Sequence, residues 1–464
     1  MNIVLITIFL PIAGAFLVRG LHPKFKAASS VFILGATFLF SLFCVAAALA
    51  HKQLFSAVYL NDWLSFSFSL DGLGAFMAAV SSFVAFLISL YSLEYMAKYE
   101  DAGEFFFWTV LFVGGMMGLV FSANIMLLFC FWEITSVCSW RLIGFYRKEK
   151  DIQAADKAFL VTFFGASVML AGIILIYLNY GTLDIRLLKD AVLPASIAFL
   201  LFTGIISKSA QLPLQSWLPD AGVAPTPVTA LLHAAVLVKI GIFVFARLFG
   251  LTFITGSVFV NAAVIVSVIT IIVAAASALV ETNIKRILAY STISQLGYIL
   301  LVLALHTDTS FKVAMVYILA HSLAKAGLFL CAGIIEHKTG TKEIAELGGL
   351  IKSMPLTATA FLLCAFSIIG IPPFLGFWPK FMVVLLSIES GHIAAGCFAV
   401  VGALFTLFYL MRFFNKVFLG EEKFQVQEDK ASLMVRVVLI LGGASLLLGL
   451  LFRLPFNFVS MLIG

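Results

Sequence analysis

Apolar runs of about 20 residues, each long enough to cross the hydrocarbon core of a bilayer, recur about 14 times along this chain of 464 residues. The first two occupy 3–18 and 31–50, and an exposed segment follows at 51–71. Further runs lie at 73–95, 106–121, 125–146, 159–180, 194–220, 227–249 and 258–280, then at 284–305, 313–335, 357–388, 393–414 and 435–452. In lipid only helices and closed barrels satisfy the backbone, and these runs are too long for barrel strands. The expected fold is an all-α polytopic membrane protein, a single transmembrane domain over 1–464. Composition agrees: 62% of residues are hydrophobic and 11% charged, against about 25% charged in soluble chains.

Charge placement orients the expected crossings. Arg19, His22, Lys24 and Lys26 fall between the first two runs, and Arg147, Lys148, Lys150 and Lys157 between the fifth and sixth. If every run crosses once, these lie on one side with Lys285, Arg286 and the loops 336–352 and 412–430. Basic loops face the cytoplasm, so both termini are expected outside the inner (cytoplasmic) membrane. A formal charge of +6, dispersed among loops, points to no nucleic acid. The N-terminal run carries its positive charges after the apolar stretch, unlike a signal peptide, and reads as a retained span. The cysteines (Cys44, Cys130, Cys138, Cys331, Cys364 and Cys397) show no metal-ligand spacing and read as inert core residues.

Two of the runs are interrupted, and each carries a lysine. In KSAQLPLQSWLPDAGVAPTPVTALLHAAVLVKIGIFVFAR, Lys208 precedes a break at Pro213, and the following helix carries His233 and Lys239. In SIIGIPPFLGFWPKF, Lys380 follows a break at Pro372 and Pro373. A lysine before one break and after the other fits two inverted-topology repeats, and discontinuous helices in matching positions point to a transport site. Repeat boundaries near 106–249 and 258–414 follow. Glu133 lies inside the fifth run, and His321 and Lys325, four residues apart, share a face of the eleventh. Lys285 begins the tenth, where snorkelling would explain it; snorkelling does not explain Lys208, Lys239 or Lys325. A lysine at the centre of a span costs roughly 2.5–3.5 kcal/mol, and intramembrane groups of this kind serve proton relays. If Glu133 pairs with Lys208, its carboxylate governs whether the lysine keeps its proton.

FWEITSVCSWRLIGFY, the 208–247 stretch, NIKRILAYSTISQLGY, HSLAKAGLFL and GIPPFLGFWPKF together resemble the signature stretches of the antiporter-like membrane subunit family. That family includes large membrane subunits of respiratory complex I, of Mrp-type sodium/proton antiporters and of membrane-bound hydrogenases. LEYMAKYE, FWEITS and EHKTGTKEIAELGGL look most like the large Mrp subunit. The resemblance implies about 14 transmembrane helices with two inverted five-helix repeats, each containing a broken helix. It implies Glu133 as the acid of the fifth helix, Lys208 as its partner and Lys239 as the central lysine. His233, Lys285, His321 and Lys325 would continue a hydrated axis ending at Lys380. Several relatives carry an acid in the sixth helix where this chain has Phe164, Gly165 and Ala166, so a second carboxylate relay is not implied. The chain stops at Gly464 without the lateral helix or added C-terminal region of larger relatives, which suits a shorter modular subunit.

The expected function is proton or sodium translocation, or both, as an antiporter-like membrane subunit of a multisubunit pump. It would be driven by partner redox chemistry, of hydrogenase or complex I type, or by Na⁺/H⁺ antiport of Mrp type. Expected partners are other membrane subunits, the lipid bilayer and, for a redox complex, peripheral subunits bearing iron–sulfur or nickel centres. No haem, flavin, iron–sulfur or nucleotide motif occurs, so no cofactor and no redox catalysis are expected in this chain. The alternatives are a non-conducting structural subunit and a stand-alone transporter. A scaffold has no need of buried charges that apolar residues could replace.

Overall fold

In lipid each peptide group must find its partner within its own segment, and this chain does so with helices. The computed structural model describes residues 2–51, 54–61 and 63–463. Helices α1 (Asn2–Gly20) and α2 (Pro23–Leu49) pack as a pair, followed by a hairpin of strands β1 (Leu54–Tyr59) and β2 (Ser65–Leu70). Helices α3 (Gly72–Tyr95), α4 (Ala102–Phe121), α5 (Ile125–Ile143) and α6 (Glu149–Tyr180) come next. The segment expected simply to be exposed at 51–71 is therefore a hairpin, and Ser65, Ser67, Phe68 and Leu70 on its second strand are buried.

The seventh run is broken. It contains α7 (Ala195–Lys208), an irregular passage and the short α8 (Trp217–Asp220). The eighth is one enclosed helix, Thr226–Gly250, made of α9 (Thr226–Ala230), a π turn (Leu231–Ala235), α10 (Leu237–Phe245) and a second π turn (Ala246–Gly250). The two-residue strands β3 (Ala191–Val192) and β4 (Phe253–Ile254) pair beside it. Helices α11 (Ser257–Val280), α12 (Ile284–Ala304) and α13 (Asp308–Thr339) lead to α14 (Leu350–Ser353) and a second broken helix, α15 (Pro355–Ile369) and α16 (Phe377–Glu389). Helices α17 (Ile393–Val417), α18 (Leu433–Leu450) and α19 (Arg453–Ile463) finish the chain. Among the described residues, 12 helices are long and apolar enough to cross a membrane; the seventh and twelfth runs are the discontinuous ones. This is a multi-pass membrane protein.

Local chemistry sets these boundaries. Asn124 caps α5 by accepting from the backbone N–H groups of Met126 and Leu127, and Asn283 caps α12 by accepting from Lys285 and Arg286. Helices α6 and α13, each 32 residues, both stop at a left-handed glycine, Gly181 and Gly340, which carries no Cβ penalty there. Asn124 then bridges Asp184, and Asn283 bridges Glu343, so the same junction is built twice. Helix α13 touches α3, α9, α12, α15, α16, α18 and α19 and is the pillar of the bundle.

The bundle has two unlike ends. At one, the hairpin meets the start of α5: Ala123 N–H donates to Ser67 O and Asn124 Nδ2 to Trp63 O. At the other, the basic loops are laced together. Lys157 and Arg286 reach Asp220 at 2.6 and 2.5 Å, Arg141 reaches Glu104 at 2.5 Å, and Lys423 donates to Ala345 O. Burial alone would raise the Asp220 carboxyl, but its hydrogen bonds from Lys157 and Arg286 outweigh this and hold it below the usual carboxylate range. Cys44, Cys138, Cys331 and Cys364 are buried, whereas Cys130 and Cys397 lie on the exposed surface; the expectation of six core cysteines holds for the first four.

Candidate functional site

Each broken helix carries a lysine beside its break, and the two find different acceptors: Lys208 reaches across to a continuous helix, whereas Lys380 meets carbonyls that the break leaves free. At the end of α7, the Lys208 ammonium donates to Ser136 Oγ at 2.6 Å and to Trp132 O at 3.1 Å, both on α5, and lies 5.2 Å from the Trp132 ring centroid. Helix α7 approaches α6 closely because Gly165 offers no Cβ; one there would run into Ser207, the residue before Lys208. After the second break, Lys380 donates to Ile368 O and Ile369 O at 2.6 and 3.1 Å. These are the last carbonyls of α15, where the negative end of the helix dipole favours a cation. Its ammonium lies 5.0 Å from the Tyr298 ring centroid.

Between them the π-turned helix supplies the middle of the row. The π turn at Leu231–Ala235 closes with Val236 N–H donating to Leu231 O, and Val236 takes a non-helical conformation (φ −127°, ψ −74°). Lys239 folds back to donate to Ala234 O beside this break, and its Nζ is 3.3 Å from His321 Nδ1 on α13. His233, within the π turn, packs on Phe329 with ring centroids 4.4 Å apart and planes tilted by 32°, and neither of its ring nitrogens has a partner among the described residues. His321 Nε2 is likewise unpartnered. One turn further along α13, Lys325 donates to Ser291 Oγ at 2.5 Å and Leu288 O at 3.3 Å, and Ser291 Oγ is 2.6 Å from the Tyr409 hydroxyl. About two turns nearer the start of α13, Tyr317 donates to Gln295 Oε1 at 2.8 Å.

The structure thus brings Lys239 and His321 into contact and gathers Lys325, Ser291 and Tyr409. Lys208, Lys239, Lys325, His233 and His321 are fully buried, and Lys380 is 5% exposed. Among the described residues, none of these four lysines has a carboxylate within 4 Å.

Two expectations change. Glu133 does not form an ion pair with Lys208; Ser136 and the Trp132 carbonyl take that place. Glu133 instead occupies a half-buried position on the stripe of α5 that includes exposed Cys130, Ile134 and Val137, and its Oε1 is buried with no protein partner. Lys285 does not snorkel. It is 1% exposed, and its Nζ lies 2.7 Å from Glu336 Oε2 at the basic end. Sequence inspection did not single out Glu336, Ser136, Ser291 or Tyr409. The signal for Glu336 was present, since an acid at the basic end of a span, four residues short of its C-cap glycine, can face the span beside it.

A family model described as "NADH:quinone oxidoreductase/Mrp antiporter, TM" matches residues 122–406, and one described as "NADH-Ubiquinone oxidoreductase (complex I), chain 5 N-terminus" matches residues 55–106. The chain is 36% identical over 398 residues to the Na(+)/H(+) antiporter subunit A1 of Staphylococcus saprophyticus, covering 79% of this chain and 49% of that protein. It is 31% identical over 486 residues to its Staphylococcus aureus counterpart, covering 96% and 60%. The chain therefore spans about half the length of the curated relatives it matches. Among solved structures, a chain of the Mrp complex from Dietzia sp. DQ12-45-1b superposes with a TM-score of 0.88 at 23% identity, covering 100% of this chain and 97% of that one. A chain of the membrane-bound sulfane sulfur reductase, an archaeal respiratory membrane complex, superposes at 0.91 with 24% identity, covering 99% and 97%. These two likenesses establish the fold.

Proposed function

We propose, from the premise that the chain belongs to the family of membrane subunits shared by NADH:quinone oxidoreductase and Mrp antiporters, that it is an antiporter-like subunit of a multisubunit ion-translocating complex. In this role it relays protons along its row of buried lysines and histidines.

One observation carries the proposal: four lysines are buried inside a membrane bundle and, among the described residues, none has a carboxylate within 4 Å. Dehydrating an ammonium costs several kcal/mol even after relaxation, and a well-packed apolar side chain would hold the helices together without that cost. Each ammonium is met by neutral acceptors only, a serine hydroxyl, a main-chain carbonyl or a histidine nitrogen, which suits a group that gains and loses its proton. A non-conducting scaffold gives no reason for the row. Sodium prefers a cage of oxygen ligands, so the row itself favours protons, and a sodium path would belong to a partner subunit.

Glu133 is placed to act at the edge. A carboxyl on the exposed stripe of α5 suits contact with a neighbouring membrane subunit, and it connects the row to that neighbour. The likeness to antiporter subunits supports ion exchange as the driving reaction; a redox module with iron–sulfur or nickel centres in peripheral subunits is the alternative driver. The two inverted repeats, 106–249 and 258–414, are the framework of the proposal, with the basic end facing the cytoplasm and both termini outside.

The test is transport by the reconstituted complex in proteoliposomes, followed with a pH-sensitive dye. Lys208→Ala and Glu133→Ala each abolish proton movement while the complex stays assembled. Full pumping by either variant removes that residue from the mechanism.

A further inference from the structure

Lys285 is the buried lysine that does have an acid. Its ammonium bridges Glu336 Oε2 at 2.7 Å and Ala224 O at 3.1 Å, while Glu336 also accepts from Thr226 Oγ1 at 3.2 Å. The pair therefore ties together the start of α12, the end of α13 and the turn leading into α9. Its members differ in access to water: the Glu336 side chain is 23% exposed and that of Lys285 only 2%. Beside them, at the basic end, lies a cavity of about 310 Å³ lined by Lys150, Lys157, Asp220, Gly222, Arg286 and Lys342. The Lys285 stem lies behind the Gly222 floor, since a Cβ on that glycine would sit 3.4 Å from Lys285 Cβ. Lys342, on the cavity wall, has its Nζ 3.8 Å from Glu336 Oε1.

The fold itself does not require this ion pair. The junction is built twice, by Asn124 with Gly181 and by Asn283 with Gly340. The interval that carries Asn124 to Asn283 and Gly181 to Gly340 places Met126 where Lys285 stands and Tyr177 where Glu336 stands. At the hairpin end a methionine and a tyrosine hold the matching positions; at the basic end a lysine and a glutamate hold them, and they pair. Packing alone does not account for the difference.

We propose that Glu336, acting with Lys285, is the port through which the buried row exchanges protons with water at the basic end. The port rests on the relay function proposed above. A proton from the aqueous phase binds a Glu336 carboxylate oxygen. When the Lys285 ammonium gives its proton to a neutral amine or imidazole of the row, the Glu336 proton moves to the Lys285 amine, and the ion pair is restored with one proton delivered to that base and no electron transferred. The titratable groups facing Glu336 are Lys285 from α12, Lys342 beyond α13, Tyr91 and Tyr95 from α3, Tyr146 after α5, and its neighbour His337. Among these Lys285 is in direct contact, and it is the one able to hold a proton that Glu336 replaces.

The experiment measures initial transport rates of the whole complex in vesicles across a pH series, for the parent and for Glu336→Gln, Glu336→Asp and Lys325→Met. Glu336→Gln keeps acceptors for Thr226 and Lys285 but holds no exchangeable proton; it lowers transport at least tenfold with the complex intact. Glu336→Asp restores transport with a displaced pH profile, which a purely structural contact would not do. A second construction covers loss of assembly: Lys285→Met combined with Glu336→Tyr copies the apolar junction of the hairpin end, assembles and does not transport. Parental transport by Glu336→Gln or by the double variant, with Lys325→Met inactive, overturns the port and leaves the relay standing. Parental transport by all of them, Lys325→Met included, overturns the relay itself.

Discussion

Replacing Lys325 by methionine separates the two things a buried lysine can do, hold helices together or hold a proton. Its ammonium donates to Ser291 Oγ at 2.5 Å and Leu288 O at 3.3 Å. Neither acceptor is stranded in Lys325→Met, because Ser291 Oγ keeps the Tyr409 hydroxyl at 2.6 Å and Leu288 O keeps Thr292 Oγ1 at 2.9 Å. Hydrogen bonds to a charged group contribute about 1.5–3 kcal/mol each, so their loss costs about 3–6 kcal/mol at most. Against this, the dehydration penalty of an unpaired ammonium, several kcal/mol, disappears. The terms cancel to within about 2 kcal/mol, and the thermal midpoint of the purified complex stays within about 5 °C of the parent. Proton transport in everted vesicles, read by dye quenching, falls at least tenfold. Lys285→Met behaves differently because it takes the nearest cation from Glu336, costing toward the lower end of about 3–5 kcal/mol since that carboxylate keeps Thr226, the more distant Lys342 and some water. Undiminished transport by Lys325→Met refutes the ammonium as a proton station. A midpoint lowered by more than about 10 °C refutes the premise that the charge is there for function and not for packing.

Two further outcomes follow from the geometry. Gly165→Val drives a side chain into Ser207 where α6 meets α7, so it costs about 1–3 kcal/mol in overpacking and moves Lys208 off Ser136; reduced transport with a lowered thermal midpoint is the expected pair of results. Asp220, held below the usual carboxylate range, stabilises the basic end above its unfolded value of about 3.9 and loses that contribution as pH falls through its lower folded value. Thermal scans of the complex between about pH 6 and about pH 3 show this acid-side loss in the parent and a flatter curve in Asp220→Asn.

The sequence revealed those features that depend on local composition. Span positions followed from runs of apolar residues, and both broken helices from prolines set beside lysines. Features that depend on what lies across the bundle were not legible. The π turns around Lys239 leave no mark in LLHAAVLVKIGIFVFARLFG, because a π turn inserts one residue without changing composition. Lys285 looked able to snorkel because it begins a helix, but its partner lies 51 positions later on α13 and packs α9 over it. The same holds for Lys208, whose acceptor is the hydroxyl of Ser136 and not the more conspicuous Glu133 on the same helix. The hairpin between α2 and α3 is not legible either, because its strands LFSAVY and SFSFSL are only six residues long and pair with each other, a relation that local composition does not record.

The helix Thr226–Gly250 is enclosed along its whole apolar window, with no face turned to lipid. A rod walled in on every side cannot tilt or slide as a unit without displacing its neighbours. Whatever motion accompanies a transport cycle there must stay on the scale of a single peptide, such as a carbonyl trading one donor for another near Val236. The packing around this rod would then stay constant through the cycle, with no clearance left for a moving part.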